Sequence, residues 1–111
     1  MKLSDLIDDL ETVSIQYADR YGFDRSSDWF LLKLTEEVGE LMQSYLRCNG
    51  QARTDGQDTE TLRESLEDEI ADVVSMALLF ARNQGVDIEN AIERKWLKYH
   101  KSPKSLASIA D

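Results

Sequence analysis

Two stretches decide the fold of this chain: LTEEVGEL at residues 34–41 and LEDEIADV at residues 66–73. Aligned position by position, both read leucine, two polar residues, glutamate, valine or isoleucine, a small residue, an acid and an apolar residue. Apolar residues that recur every three or four positions are typical of an amphipathic helix. Each stretch therefore predicts a helix with one apolar stripe.

Carboxylates follow one edge of each apolar stripe. At about 100° per residue, Glu37 and Glu40 lie one turn apart along this edge of the first helix, and Glu69 and Asp72 occupy the same positions on the second. If the two stripes pack in antiparallel fashion, the two pairs of acids face each other across one volume. The alternative interpretation is that these acids belong to solvated helix faces, where charged residues are common.

Four carboxylates around one volume indicate a cation site. Like charges in a partly buried site repel and raise each other's pKa values, and a divalent ion relieves that repulsion. Oxygen ligands without imidazole or thiolate favour Mg²⁺, with Mn²⁺ as a substitute. A di-iron bundle is excluded because it needs Glu-x-x-His pairs, whereas His100 is the only histidine and Leu97 precedes it by three residues. The sequence also has no P-loop and no EF-hand ligand spacing.

Apolar periodicity predicts four helices and no strand, so the fold class is all-α. We expect the first helix to have Ser4 as its N-cap and to end near Gly22. Good capping residues at positions 26–28 predict the start of the second helix. A polar loop with two glycines then follows at residues 49–58.

The second half of the chain completes a predicted four-helix bundle. The third helix is expected to stop at Gly85, and Asp87 to cap a fourth helix whose latest possible end is Pro103. The two central helices, two and three, carry the acidic motifs. We expect a single helical domain over residues 1–104, followed by a disordered tail at residues 105–111.

Composition and charge exclude several classes of protein. The 111 residues fit one domain, and the formal net charge of −9 argues against binding to nucleic acid polymers or anionic membranes. The single cysteine, Cys48, excludes an intrachain disulfide and favours a reducing compartment. Since no signal peptide or membrane-spanning apolar run is recognisable, we expect a cytoplasmic protein.

The acidic motifs resemble those of the MazG-like all-α nucleoside triphosphate pyrophosphohydrolases. The signature of that family is E-E-x-x-E on one helix and E-x-x-D on the next, which residues 36–40 (EEVGE) and 69–72 (EIAD) match. Residues 85–92 (GVDIENAI), followed by Lys95, resemble the family's usual turn into its last helix. The resemblance extends from about Leu31 to Lys95.

This resemblance implies a reaction and a role for each matching residue. Water attacks the α-phosphorus of a nucleoside triphosphate, giving a monophosphate and pyrophosphate, with nucleotide-pool house-cleaning as a role. The ligands of Mg²⁺ would be Glu37, Glu40, Glu69 and Asp72. Glu36 would orient or deprotonate the attacking water, or bind a further metal ion. Lys95 would contact phosphate, and Lys33, which precedes the first motif as is common in the family, and Lys98 are further candidates.

The sequence departs from the family pattern after Lys95. Many relatives continue with an asparagine and an Arg or Lys before an aromatic–proline pair, whereas residues 96–103 read WLKYHKSP. Lys98, His100 and Lys101 are candidates to replace the usual phosphate contacts. Alternatively, they form a basic helix end that the helix dipole favours.

Three aromatic side chains are candidates for stacking on a nucleobase: Trp29, Phe30 and Trp96. Gln16 is a weaker candidate for reading a base edge. At helical spacing, aromatic residues also serve a core or a subunit interface, so both interpretations stay open for each of them.

A chain this short covers its central helices poorly, because it buries only about two-thirds of its unfolded surface. The resemblance implies a homodimer or a tetramer built from dimers, often with each pocket completed by a neighbouring subunit. We therefore expect at least a dimer. The alternatives to a nucleoside triphosphate pyrophosphohydrolase are a phosphoribosyl-ATP pyrophosphohydrolase-like enzyme, a helical interaction module, and a protein that binds nucleotide without cutting it.

Overall fold

The computed structural model describes residues 1–99, which contain four α-helices, one short 3-10 helix and no strand. The α-helices are α1 (Leu3–Tyr21), α2 (Ser27–Cys48), α3 (Thr59–Asn83) and α4 (Ile88–Lys95), and the 3-10 helix is Leu97–Tyr99. The expected all-α fold with four helices is confirmed. The expected tail at residues 105–111, together with His100, Lys101 and Pro103, lies outside the described residues. None of the described helices is long and apolar enough to cross a membrane.

Side-chain caps begin three of the four helices. The side-chain oxygens of Ser26, Asp58 and Asp87 accept backbone N–H bonds at distances of 3.1, 2.8 and 3.2 Å, respectively. Each bond satisfies one N–H that has no partner inside the helix. The Ser4 cap was wrong: α1 begins at Leu3, two residues before the start that a Ser4 N-cap implies, and its N-cap residue, Lys2, makes no side-chain capping hydrogen bond.

The two acidic motifs lie on an antiparallel helix pair. Ser27 Oγ, at the start of α2, donates a hydrogen bond of 2.8 Å to Asn83 Oδ1, at the end of α3. At the other end, Cys48 Sγ donates to the carbonyl oxygen of Leu62 at 3.2 Å. Helix α3 is the centre of the fold, because α1, α2 and α4 all pack against it. The predicted antiparallel packing of the two central helices is thus confirmed.

Most of the core lies at the end of the pair where α1 crosses α3, whereas Leu62 and Leu66 are buried nearer the start of α3. Phe30 is the most deeply buried large side chain, with 1% of its surface exposed, and it lies on α2 close to its first turn. The other buried apolar side chains at this end are Ala18, Leu78, Leu79 and Ala81. Helix α1 is also joined to α3 by charge, because Arg82 pairs with Asp8 at 2.5 Å and with Glu11 at 3.3 Å.

The middle of the pair has an uncovered apolar groove of about 350 Å³ between α2 and α3. The groove is lined by Val38, Leu41, Met42, Tyr45, Leu66 and Ile70. Four of these side chains are strongly exposed: Val38 at 48%, Met42 at 56%, Tyr45 at 49% and Ile70 at 45%. The Cα radius of gyration, 17.6 Å, also exceeds the roughly 13 Å expected of a compact domain of this length. A single chain therefore leaves part of both apolar stripes open.

Candidate metal centre

Three carboxylates converge between α2 and α3. One carboxylate oxygen from each of Glu37, Glu40 and Glu69 lies within 4.8 Å of the other two, and we call these three residues the carboxylate cluster. Glu37 and Glu40 lie one turn apart on α2, and Glu69 reaches them from the antiparallel α3. The edge arrangement expected from helical periodicity produces this meeting point.

Two oxygens of the carboxylate cluster are buried without a partner. Glu37 Oε2 and Glu69 Oε2 are shielded from solvent, and neither has a hydrogen-bond partner within residues 1–99. A buried polar atom without a hydrogen bond destabilises a fold unless another group satisfies it. A bound cation would satisfy these two oxygens, because the groups that face them are also acceptors.

The electrostatics of the cluster agree with this geometry. Loss of solvation, followed by the neighbouring charges of Glu40 and Asp72, raises the pKa of Glu37 to about 7. The same causes in the same order raise the pKa of Glu69. Without a cation, the cluster therefore holds protons at a pH where ordinary glutamates are ionised.

Asp72, the fourth expected ligand, lies beside the cluster rather than within it. Its charge raises the pKa of both Glu37 and Glu69, so it is close to them, but it is not one of the three residues whose oxygens meet within 4.8 Å. The residues present fit a hard divalent ion, since every donor is a carboxylate oxygen and two of the oxygens are buried without a partner.

Glu36 and Lys33 lie on α2 next to the cluster. Lys33 Nζ forms an ion pair with Glu36 Oε2 at 3.3 Å, and both side chains are partly open to solvent. The charge of Lys33 also lowers the pKa of Glu37 against the larger effects that raise it. One cation and one solvent-accessible carboxylate are thus available at the edge of the site.

A polar pocket of about 280 Å³ opens beside the cluster, toward the end of α2. We call this cavity the polar pocket, and it is lined by Glu40, Gln43, Ser44, Arg47, Ser65 and Glu69. Two of its lining residues, Glu40 and Glu69, belong to the carboxylate cluster. Any group held at the cluster would therefore border this pocket.

The family of the chain follows from a match that covers this site. Residues 25–106, well over half of the chain, match the model of the MazG nucleotide pyrophosphohydrolase domain. The chain belongs to the MazG family. It is thus a hydrolase of the nucleotide pyrophosphohydrolase type, from a family that typically depends on a metal ion. No match was found among the curated proteins or among the solved structures.

The three lysines expected to contact phosphate in this MazG domain lie on different elements of the fold. Lys33 is beside the cluster, as described above. Lys95 is the last residue of α4, is exposed, and makes no ion pair within residues 1–99. Lys98 lies in the 3-10 helix that follows α4 and is exposed. Of these three, Lys33 is the one whose charge is shown to act on a carboxylate of the cluster, Glu37.

The expected base-binding residues of the MazG domain are scattered. Phe30 is 1% exposed and belongs to the core, which leaves its ring no open face in this chain. Trp29 is half-buried and stacks on Phe23, with 4.9 Å between ring centroids and an interplanar angle of 30°. Gln16 lies exposed on α1, and Trp96 is 69% exposed after α4. Trp29 is therefore the better placed of the two residues at the start of α2.

Sequence reasoning missed Arg47 and the polar pocket. Glu40, Gln43, Ser44 and Arg47 are spaced at i, i+3, i+4 and i+7, so they follow one face of α2 away from the cluster. The signal was present in that spacing. The first acidic motif ends at Glu40 and does not extend along this face.

Proposed function

We propose that this MazG protein hydrolyses nucleoside or deoxynucleoside triphosphates to the monophosphate and pyrophosphate with Mg²⁺ as cofactor. One observation carries the proposal: three carboxylates meet within 4.8 Å, and two of their oxygens are buried without a partner, in a chain of this family. Clearing non-canonical or surplus nucleotides is the role we propose in the cell.

The ion would be held by the carboxylate cluster together with Asp72. When bound, it offsets the negative charge on the phosphate oxygens during hydrolysis. Glu36 is the proposed acceptor of the proton from the attacking water, since it is a solvent-accessible carboxylate next to the cluster. The new bond joins the water oxygen to the α-phosphorus, and the bond from that phosphorus to the oxygen bridging to the β-phosphate breaks.

Lysine side chains would bind the phosphate chain. Lys33 already lies next to the cluster, and releasing it from Glu36 would cost little because the pair is exposed. Lys95 and Lys98 remain candidates for phosphate contacts. Trp29 is the proposed residue for stacking on the base. It lies at the start of α2, at the opposite end from Arg47, and its half-buried indole already stacks on Phe23.

A second copy of the chain is the proposed cover for the apolar groove. An exposed apolar surface of this kind on a small domain marks an interaction site, and a dimer would bury it without any other partner. Such a dimer, or a tetramer of two dimers, would also let Lys95 of each chain reach the other's site. Sedimentation equilibrium at micromolar concentration tests this proposal, and a monomer under those conditions would contradict it.

The enzymatic test is a panel of nucleoside and deoxynucleoside triphosphates incubated with Mg²⁺, with pyrophosphate as the measured product. We expect release that stops in chelator and in Glu37→Gln. The matched control is Glu67→Gln, because Glu67 lies on α3 with its side chain 63% exposed and, within residues 1–99, pairs only with Arg63 at 3.9 Å. Nucleotide binding without pyrophosphate release would indicate a binding protein. If the protein neither binds nucleotide nor releases pyrophosphate, the helical interaction module is the remaining alternative. Cleavage of phosphoribosyl-ATP alone would indicate the related enzyme.

A further inference from the structure

The polar pocket contains a positive charge with no partner. Arg47 lines it, is half-buried, and forms no ion pair within residues 1–99. Among the other described arginines, Arg25, Arg63 and Arg82 each pair with a glutamate or an aspartate. The remaining three, Arg20, Arg53 and Arg94, also make no ion pair within residues 1–99 but are exposed, whereas Arg47 is half-buried. In a chain with a net charge of −9, an arginine that borders two acids of the cluster and pairs with neither calls for an explanation.

The rest of the pocket lining consists of hydrogen-bonding groups. Gln43 contributes an amide, and the buried Ser44 donates a hydrogen bond of 3.5 Å to Ser65 Oγ across the helix pair. No aromatic side chain lines the pocket. Such a lining suits an acceptor-rich polar group better than an apolar one.

We propose that Arg47 is a second substrate-binding residue, whose guanidinium donates a pair of hydrogen bonds to acceptor atoms of the nucleotide held at the carboxylate cluster. This inference rests on the proposed function, because it needs a nucleotide at that cluster. It adds a binding residue outside the acidic motifs and outside the lysines considered above.

The position of Arg47 on its helix supports this role. It lies seven residues, or about 10 Å along the axis, beyond Glu40. Long side chains of a helix lean toward its N-terminus, which here is the direction of the carboxylate cluster. A guanidinium that reaches back along α2 thus approaches a ligand that extends out of the cluster into the polar pocket.

Electrostatic attraction is the reason that a contact with Arg47 would stabilise the bound nucleotide. Four carboxylates and a triphosphate carry more negative charge than one divalent ion offsets, so a further cation next to the pocket stabilises the complex. The planar fork of arginine binds paired acceptors, a geometry that lysine lacks. Two parts of a nucleotide offer such acceptors: the phosphate oxygens and a base edge such as O6 and N7 of guanine. A base edge at Arg47 would place the base in the polar pocket instead of at Trp29, which lies 18 residues away on α2.

The test measures binding rather than turnover. Isothermal titration calorimetry with Mg²⁺ and the non-hydrolysable α,β-imido analogues of dATP, dGTP, dCTP and dUTP would compare the full-length wild-type chain with Arg47→Gln. We expect Kd to rise about tenfold or more in Arg47→Gln, because a charge-assisted pair of hydrogen bonds is lost. Arg47→Lys should recover only part of the loss, since it keeps the charge but not the fork.

Arg63→Gln is the matched control, because Arg63 lies on the exposed side of α3 with an exposed ion pair. It should bind all four analogues as the wild type does. Circular dichroism should show the same helical spectrum and a cooperative thermal transition for Arg47→Gln and wild type, since Arg47 has no ion pair to lose within residues 1–99.

The two sources of acceptor atoms give different results. If Arg47 binds the phosphate chain, Arg47→Gln weakens all four analogues equally and also weakens binding of Mg²⁺ with pyrophosphate alone. If it binds a base edge, the loss is confined to some bases and pyrophosphate binding is unchanged. Wild-type affinity of Arg47→Gln for every analogue and for pyrophosphate would overturn the proposal. A wild-type protein that binds the analogues but cuts no triphosphate would contradict only the proposed enzymatic function, and one that binds none would contradict both.

Discussion

Two groups of charged residues in this molecule differ in how they are balanced. Where α1 crosses the end of α3, Arg25 and Arg82 alternate with Asp8 and Glu11, so each charge has an opposite neighbour. In the carboxylate cluster, acids meet acids, and the one cation whose charge lowers the pKa of Glu37, Lys33, pairs with Glu36 instead. The first group is complete within one chain. In the second, none of the described lysine or arginine side chains forms an ion pair with an acid of the cluster.

This difference separates a structural network from a binding site. A balanced set of charges joins two helices and requires nothing further, whereas an unbalanced and partly buried set destabilises the fold until a ligand compensates it. The free energy stored in the repulsion among the acids is what makes a bound cation favourable. We expect mutations in the two groups to have effects of opposite kinds.

The largest expected effect comes from removing one acid of the cluster. Glu69→Gln should lower pyrophosphate release at least a hundredfold, because it removes a ligand of the proposed ion. The same variant without metal should be as stable as the wild type or more stable, because one repelling charge is gone. Steady-state kinetics and thermal unfolding in chelator measure the two effects.

Glu67→Gln is the control for this variant, since it changes an exposed glutamate two residues away on the same helix. It should leave both activity and stability nearly unchanged. A Glu69→Gln protein that unfolds much more easily in chelator would show that Glu69 stabilises the fold, and the comparison drawn above would be wrong.

The second prediction concerns the response of stability to Mg²⁺. An ion that binds only the folded state raises the free energy of unfolding by about 2.7 kcal/mol at a hundred times its Kd. We expect the melting temperatures of the wild type and Arg82→Gln to rise equally as Mg²⁺ is titrated, because Arg82 belongs to the balanced group at the α1 crossing. Glu37→Gln should gain far less. Equal gains in all three proteins would place the ion elsewhere.

Much of this comparison was accessible from the sequence. The capping residues at positions 26 and 87 were predicted from residue type, and the meeting of Glu37 with Glu40 and Glu69 follows from helical periodicity once the two helices pack in antiparallel fashion. The cap at Asp58 was not predicted. Helix arithmetic fixes which side chains share a face, and short polar side chains at helix starts fix the boundaries.

Other features depend on which face a neighbouring helix covers, and periodicity does not encode that. Phe30 and Val38 are both apolar residues of α2, yet Phe30 is 1% exposed, with the Arg25 guanidinium 5.0 Å from its ring centroid, whereas Val38 is 48% exposed. Asp72 shares the register of Glu40 but lies outside the cluster, because its position depends on how the two helices approach each other. Tertiary packing decided these positions.

The third prediction is a pH dependence that belongs to the cluster alone. The folded pKa of Glu37, about 7, lies above its ordinary value of 4.5, so between these values the folded state holds a proton that the unfolded state has released. Stability in chelator should therefore fall as pH rises through this window and level off above it. Glu37→Gln should flatten the fall. Because Mg²⁺ binds the ionised form, its affinity should rise over the same range.

Urea unfolding at several pH values measures this slope, with Glu67→Gln as the control that keeps it. Stability in chelator that rises between about pH 5 and pH 7 would mean that the dominant titrating carboxylates have lowered pKa values. That result would contradict the assignment of the cluster as an unbalanced group.

The smallest expected effect is at the balanced group. Arg82→Gln removes the exposed pair with Asp8 and one of the two cations next to Glu11, but Arg25 still pairs with Glu11. The loss in free energy of unfolding should be about 1 kcal/mol or less, decreasing further in high salt, because both partners in the Asp8 pair are largely exposed. Pyrophosphate release should be unaffected. A loss of activity without a loss of stability would mean that the α1 crossing controls the spacing of α2 and α3 at the cluster, so that the two groups are coupled through α3.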